Sequence, residues 1–497
     1  MKANSPIELP VSSSVQSVRK HAAFLIDKSA FSLLLILIAL TTVPYGTIEP
    51  WWEALFECAI FALMALRILE GILGGAWFVS GRRLLAPLLA LIVFAFIQTL
   101  PLVNGNFDGT QVGGGRWQTI SADPYETWRF TVKLLSLVAA GELLLRYTSS
   151  RHRLRALIYV VIGIGVASAL FGIVRQAMEA GGTSGFVFPH LSPGPSYGQF
   201  DNRNHFALLM EMTLGLVLGL IIWGGVHWCR TLIYIATAVP VWTALVLTTS
   251  RGAIFSMFAQ MLFLVLLFIY ARAARKTTPT GSSPKEKVWG ICRSLMGRAA
   301  LTACLMTTVT VGILWVGGDS LLSRLEAMPK ELSAESSDGR AGMRRIEIWH
   351  ATWQLIKANS VVGVGFGAFG TAIAEYRDAS GVWEPQQVHN EYLELLASGG
   401  LVGAALAAWF VIALIKLARV RLRSADPFRR AACLGALTGL FAVAAHSMVD
   451  FGLHVTANTL VFSSLIVIAV ANKRVEETTA GPGCSPPPLS RISYASV

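Results

Sequence analysis

The chain has 497 residues, 54% hydrophobic and only 14% charged, with a mean hydropathy of +0.57. Soluble domains carry about 25% charged residues, so this composition argues against a soluble enzyme and for repeated membrane crossing. The formal charge of +12 would suggest nucleic acid in a soluble protein, but here most cations sit between apolar runs and act as topology signals, with no nucleic-acid partner expected.

In chain order, the first 29 residues are polar, with Arg19, Lys20 and Lys28. The apolar run after them has no small-residue cleavage site, so it is expected to remain as the first span. Apolar runs of spanning length then predict helices near 30–48, 52–70, 84–103, 128–147, 156–178, 204–225, 231–249, 252–271, 299–316, 391–415, 431–450 and 456–472. The fold expected is an all-α polytopic membrane protein of about twelve spans, with a large loop between the ninth and tenth. The cytoplasmic segments would hold Arg82 and Arg83, the cluster Arg146, Arg151, Arg153 and Arg155, and the basic stretches 272–298 and 416–430, which puts both termini inside. The organisation is then a cytoplasmic segment 1–29, helices over 30–316, a noncytoplasmic loop 317–390, helices over 391–472 and a proline-bearing tail 473–497 of disordered composition. The six cysteines form no CxxC pair and lie near no His cluster, giving no basis for a disulfide framework or structural zinc.

The large loop carries most of the candidate chemistry. Ile346, Trp349, Trp353 and Ile356 recur at helical spacing and mark an amphipathic helix that could lie flat on the membrane. After it, Gly363-Val-Gly-Phe-Gly-Ala-Phe369 permits backbone turns and close approach to a ligand. Arginine and lysine in this loop run against the positive-inside trend; an anionic ligand explains that, and a solvated loop of mixed charge is the plainer alternative. Arg345 and Trp349 share a helix face, so the guanidinium could stack on the indole. His389 and Asn390 precede a span; a histidine there sits at a helix N-terminus, which favours the neutral imidazole of a general base, while the plain reading is a capping Asn390 beside an incidental His.

Upstream, Thr248-Thr-Ser-Arg-Gly-Ala-Ile-Phe255 places Arg251 between two apolar runs at the noncytoplasmic surface. An ionisable residue there marks a functional site unless it merely snorkels. Asp201-Asn-Arg-Asn-His205 is rich in hydrogen-bonding groups suited to sugar hydroxyls, and equally to an interfacial cap. His446, Asp450 and His454 fall at i, i+4 and i+8 and would line one helical face, as a zinc site or, more simply, an interhelical hydrogen-bond cluster.

Four stretches, Ser250-Arg251-Gly252, Arg345-Ile-Glu-Ile-Trp349, Asn359-Ser-Val-Val-Gly-Val-Gly-Phe-Gly-Ala-Phe369, and Val388-His389-Asn390-Glu391-Tyr392-Leu393-Glu394-Leu395 with Gly399-Gly-Leu-Val-Gly403, together resemble the O-antigen ligase and polymerase superfamily. The resemblance covers roughly residues 198–460. It implies a GT-C-like enzyme of the bacterial inner membrane, acting at the periplasmic face without metal or other cofactor. Its donor would be a glycan on undecaprenyl diphosphate, and its acceptor a glycan, lipid A core or protein. Carried over, His389 would be the general base, Arg251 and Arg345 would bind the diphosphate, and Asn390, Tyr392, Asn202 and Asn204 would orient the acceptor or the base. The rivals are a transporter, which would place its polar groups at the bilayer midplane, and a metal-dependent transferase, for which Glu49 and Glu53 form the nearest acidic pair.

Overall fold

The computed structural model describes residues 13–74, 81–101, 119–180, 196–224, 228–275, 345–376 and 385–471, with isolated helical positions between 297 and 311. Its α-helices in chain order are α1 (Ser13–Leu40), α2 (Pro50–Gly74), α3 (Arg82–Gln98), α4 (Pro124–Tyr147), α5 (Arg151–Ala180), α6 (Arg203–Ile222), α7 (Trp228–Leu247) and α8 (Arg251–Arg275). They continue with α9 (Arg345–Ala358), the single turn α10 (Phe369–Ala372), α11 (Glu391–Leu422), α12 (Pro427–His446) and α13 (Thr456–Val470). Every expected span except the ninth falls on a helix; all but isolated helical positions of 299–316, the loop from 317 to 344 and the tail from 473 onward lie outside the described residues. Among the described residues, five helices, starting at Gln16, Arg151, Arg203, Glu391 and Pro427, are long and apolar enough to cross a membrane. In α2 and α4 the charges pair across the helix contact, with Glu70 3.0 Å from both Arg146 and the Tyr147 hydroxyl. Such pairing is how charged groups are kept inside a bundle.

Local chemistry explains the boundaries. Asp123 and Asp426 each cap a helix that opens on proline, and Asn202 and Asn390 cap α6 and α11. The first helix starts at Ser13 and stops at Leu40, rather than running from 30 to 48: Pro44 and the positive φ of Tyr45, Gly46 and Thr47 turn the chain there. Likewise α12 ends at His446, not 450, so His446, Asp450 and His454 do not line one helix face. A turn follows, with His454 on a short 3-10 segment.

The centre of the bundle is α6, buried along nearly its whole length. It packs on α12 through two glycine pairs: a Cβ on Gly219 would lie 2.1 Å from the Gly435 Cα, and one on Gly215 2.5 Å from the Gly439 nitrogen. Glycines four residues apart on both helices allow this backbone approach. One consequence is that Glu211, a turn before Gly215, meets the C-terminal end of α12.

A second, smaller core gathers the described part of the large loop. α9 buries Ile348, Ala351, Thr352, Leu355 and Ile356 and packs Trp349 against the same core, while Ile346 and Trp353 are exposed, so the expected face of bulky residues is only half turned inward. The small Ala351 and Thr352 are what let the helix sit close to Val364, Phe369 and Val388. The glycine-rich stretch approaches protein rather than open space. α11 is broken at Gly400 (φ 58°), and the carbonyls of Ala397 and Ser398 accept from the Val364 and Gly365 N–H groups at 2.9 and 3.0 Å. In return Leu401 and Val402 donate to the Ser360 and Val361 carbonyls, at 2.9 and 3.1 Å. The Gln98 side chain, from α3, donates to the Val362 and Ser398 carbonyls. A break in a long apolar helix requires such replacement partners. Gly363→Ala is therefore expected to destabilise the protein strongly, since it combines φ 69° with a Cβ 2.4 Å from the Ser398 backbone. A fall in detergent melting temperature with loss of the folded gel-filtration peak is the readout, and a wild-type profile would refute the account.

Candidate active site

His389 immediately precedes the cap of α11 and holds φ 55°, a left-handed conformation that is unusual for a non-glycine residue. Its neighbours fix it there. The Trp349 indole donates to the Val388 carbonyl at 3.0 Å, the Val388 N–H donates to Glu394 at 3.3 Å, and the Asn390 side chain accepts from the Tyr392 and Leu393 N–H groups. The imidazole Nδ1 lies 3.4 Å from Asp450 Oδ1, and the ring meets Phe451 edge to face at 4.8 Å. About a third of the His389 side chain is exposed, whereas Asp450 is fully enclosed.

Asp450 begins a buried polar chain. Its Oδ2 is 3.8 Å from His446 Nε2, and His446 Nδ1 is 3.0 Å from Glu211, which accepts from the Ser256 hydroxyl at 2.5 Å. Burial alone would push the Asp450 carboxyl up, but the His389 hydrogen bond and the neighbouring His446 and His205 hold it well below the usual carboxylate range. A buried carboxylate on Nδ1 selects the imidazole tautomer with a proton on that nitrogen, leaving Nε2 as the basic atom.

The two arginines open helices. Arg251 is the first residue of α8 and is exposed; Ser250 beside it accepts from the Ala253 N–H at 3.2 Å and donates to Asn204 at 2.7 Å. The next residue, Gly252, lies against His446, whose Nε2 would be 3.1 Å from a Cβ placed there. Arg345 is the first residue of α9 and is also exposed. It does not stack on Trp349: among the described residues the cation–π contacts belong to Arg151, Arg153 and Arg155, and the indole instead serves Val388. Gly252 thus sets the start of α8 against His446, and Trp349, one turn after Arg345, reaches the Val388 carbonyl. Each guanidinium stands at the first described residue of its helix, where the helix dipole adds positive potential.

The structure gives the other candidates specific partners. Asn202 caps α6 and accepts from the Asn204 N–H at 2.8 Å; Asn204 holds Ser250; the Tyr392 hydroxyl donates to the Ala444 carbonyl at 2.7 Å. His454 faces away from His446, lying 3.6 Å from Glu391 and 3.4 Å from Glu394. Among the described residues no group of three or more His, Cys, Asp or Glu is arranged to hold a metal ion. Glu53 pairs with Lys133 and Arg129, at 2.5 and 3.9 Å. The pairing of Asp450 with His389, and the contribution of Glu211 and Ser256, were not foreseen in the sequence. An available signal was Glu211 itself, a carboxyl within an apolar span.

Residues 235–408 match the family model described as O-antigen ligase, a stretch that contains Arg251, Arg345, His389, Asn390 and Tyr392. No curated protein matches the chain. Residues 235–408, about a third of the chain, are thus similar to O-antigen ligases, and the long apolar helices indicate a multi-pass membrane protein.

Proposed function

We propose that the protein transfers a glycan from undecaprenyl diphosphate to an acceptor hydroxyl at the periplasmic face of the bacterial inner membrane, without a metal and with inversion. The observation that carries this reading is His389: strained, partly exposed, and bonded through Nδ1 to a buried carboxylate. In the proposed step Nε2 takes the acceptor hydroxyl proton as that oxygen bonds to the anomeric carbon. The bond from that carbon to the diphosphate oxygen breaks, and the lipid diphosphate leaves with the electron pair. Arg251 and Arg345 meet the growing negative charge with planar, bidentate donors at helix N-termini. Asp450 positions the base and stabilises the imidazolium once the proton has arrived.

The test is transfer by purified protein from a lipid-diphosphate-linked glycan, with product anomer assigned by NMR. Retention of configuration would overturn the single displacement. Asp450→Asn is expected to lower kcat by about 10²-fold or more, because the neutral amide no longer selects the tautomer, with donor affinity unchanged. A wild-type rate would leave Asp450 a structural residue only.

The reading also requires the loop 317–391 to face the periplasm, as the basic alternate loops suggest. In a cysteine-free variant of intact spheroplasts, an impermeant thiol reagent should label a cysteine at Ser336 and not one at Ser282. The reverse pattern would remove the periplasmic reaction. Lipid A core, a growing lipid-linked glycan and a protein hydroxyl remain the three acceptors within the family, separated by loss of lipid A polymer, loss of chain length or loss of protein glycans after gene deletion.

A further inference from the structure

A cavity of about 620 Å³ lies between α2, α4 and the start of α11, within the size range of ligand pockets. It contains neither Arg251 nor Arg345, yet it abuts the catalytic histidine: Gln387 and Glu391 on its wall flank His389 in sequence, and its His454 meets Phe451, whose ring also meets His389. Resting on the transferase reading, we propose that this cavity is the acceptor subsite and that it takes an uncharged, hydroxyl-rich saccharide in preference to a phosphorylated one.

The charges decide the preference. Glu53, Glu57, Glu126, Glu391 and Glu394 line the cavity. Its cations are each engaged by carboxylates: Lys133 with Glu53 at 2.5 Å, Arg129 with Glu126 at 3.0 Å, and His454 with Glu394 at 3.4 Å. Burial lowers His454, but Glu394 and Glu391 outweigh it and push the imidazole up to about 9, so it is a committed cation at neutral pH. A phosphate entering here would have to break one of these pairs and face the remaining carboxylates. A neutral sugar meets no such penalty. Carboxylates and the Gln386 and Gln387 amides offer hydrogen bonds to its hydroxyls, and Tyr125 and Trp128, both exposed at the cavity, offer flat apolar faces to its ring. This placement also fits the division of labour in the reaction, with the acceptor on the base side and the anionic donor on the arginine side.

The experiment is glycan-array binding by full-length protein in nanodiscs, using neutral hexose oligosaccharides and their phosphorylated counterparts, alongside transfer from the lipid-linked donor. Neutral glycans should bind, with phosphorylated ones weaker by about tenfold or more. Gln386→Ala and Trp128→Ala, at exposed positions, should each weaken neutral-glycan binding by about tenfold and raise the acceptor KM while leaving the donor KM unchanged. Glu57→Gln should narrow the discrimination against phosphorylated glycans. Equal or tighter binding of phosphorylated glycans, binding of none, or wild-type binding by both Gln386→Ala and Trp128→Ala would overturn the proposal, the last making Trp128 a membrane-interface anchor. If the array pattern holds but the wild type does not transfer, the transferase reading fails and the saccharide site stands. If transfer proceeds while the cavity variants bind and react as wild type, the cavity assignment alone fails.

Discussion

Replacing His389 with Ala or Gln is expected to lower transfer by about 10²- to 10⁴-fold, the usual cost of a lost general base, while lipid-linked donor still binds. The two halves of that result come from separate parts of the site. The proton acceptor is the imidazole Nε2, set by Asp450 on the opposite nitrogen, whereas the donor is assigned to arginines on α8 and α9. Glutamine matters as the second variant because it keeps a polar side chain of similar reach but has no basic atom. Excess EDTA should leave the wild-type rate unchanged. Turnover of His389→Ala at the wild-type rate would reduce the residue to a backbone turn before α11. Loss of activity in EDTA with recovery in Mg²⁺ or Mn²⁺ would end the metal-free mechanism.

Arg251→Lys and Arg345→Lys are expected to be comparably damaging, with kcat/KM down by roughly 10²-fold or more and membrane abundance near wild type. Lysine preserves the charge, so a purely electrostatic role would tolerate the change; a bidentate fork on diphosphate oxygens would not. The loss should follow donor concentration only in part, because the charge to be stabilised is largest in the transition state. Both side chains are exposed at helix starts, and lysine keeps the charge and most of the reach at each. Arg344 lies outside the described residues, and Arg344→Lys is expected to be mild. Near-normal transfer by the Arg251 and Arg345 variants would remove the diphosphate clamp.

The sequence alone determined the class of molecule, because low charge and long apolar runs leave membrane helices as the arrangement that satisfies the backbone. Helix starts at Asn202 and Asn390 were equally local matters, written in a cap residue and the one or two that follow. Arg251 stood out because an ionisable residue at a membrane boundary is costly to keep, Arg345 because it shares a helix face with Trp349, and His389 because it precedes a helix N-terminus. What the sequence could not supply was pairing across the bundle. His389 and Asp450 are 61 positions apart, and Glu211 and His446 235 apart; both contacts exist because glycines on α6 and α12 bring two backbones together and the chain turns at His446 instead of continuing the helix. The same holds for Gly363, Gly365 and Gly367: their freedom was visible, but only the break in α11 shows what they approach. The inward face of α9 was likewise decided by Ala351 and Thr352, small residues that fit the neighbouring core where bulky Ile346 and Trp353 do not. Periodicity records which residues are apolar, whereas close packing decides which of them the rest of the chain leaves room for.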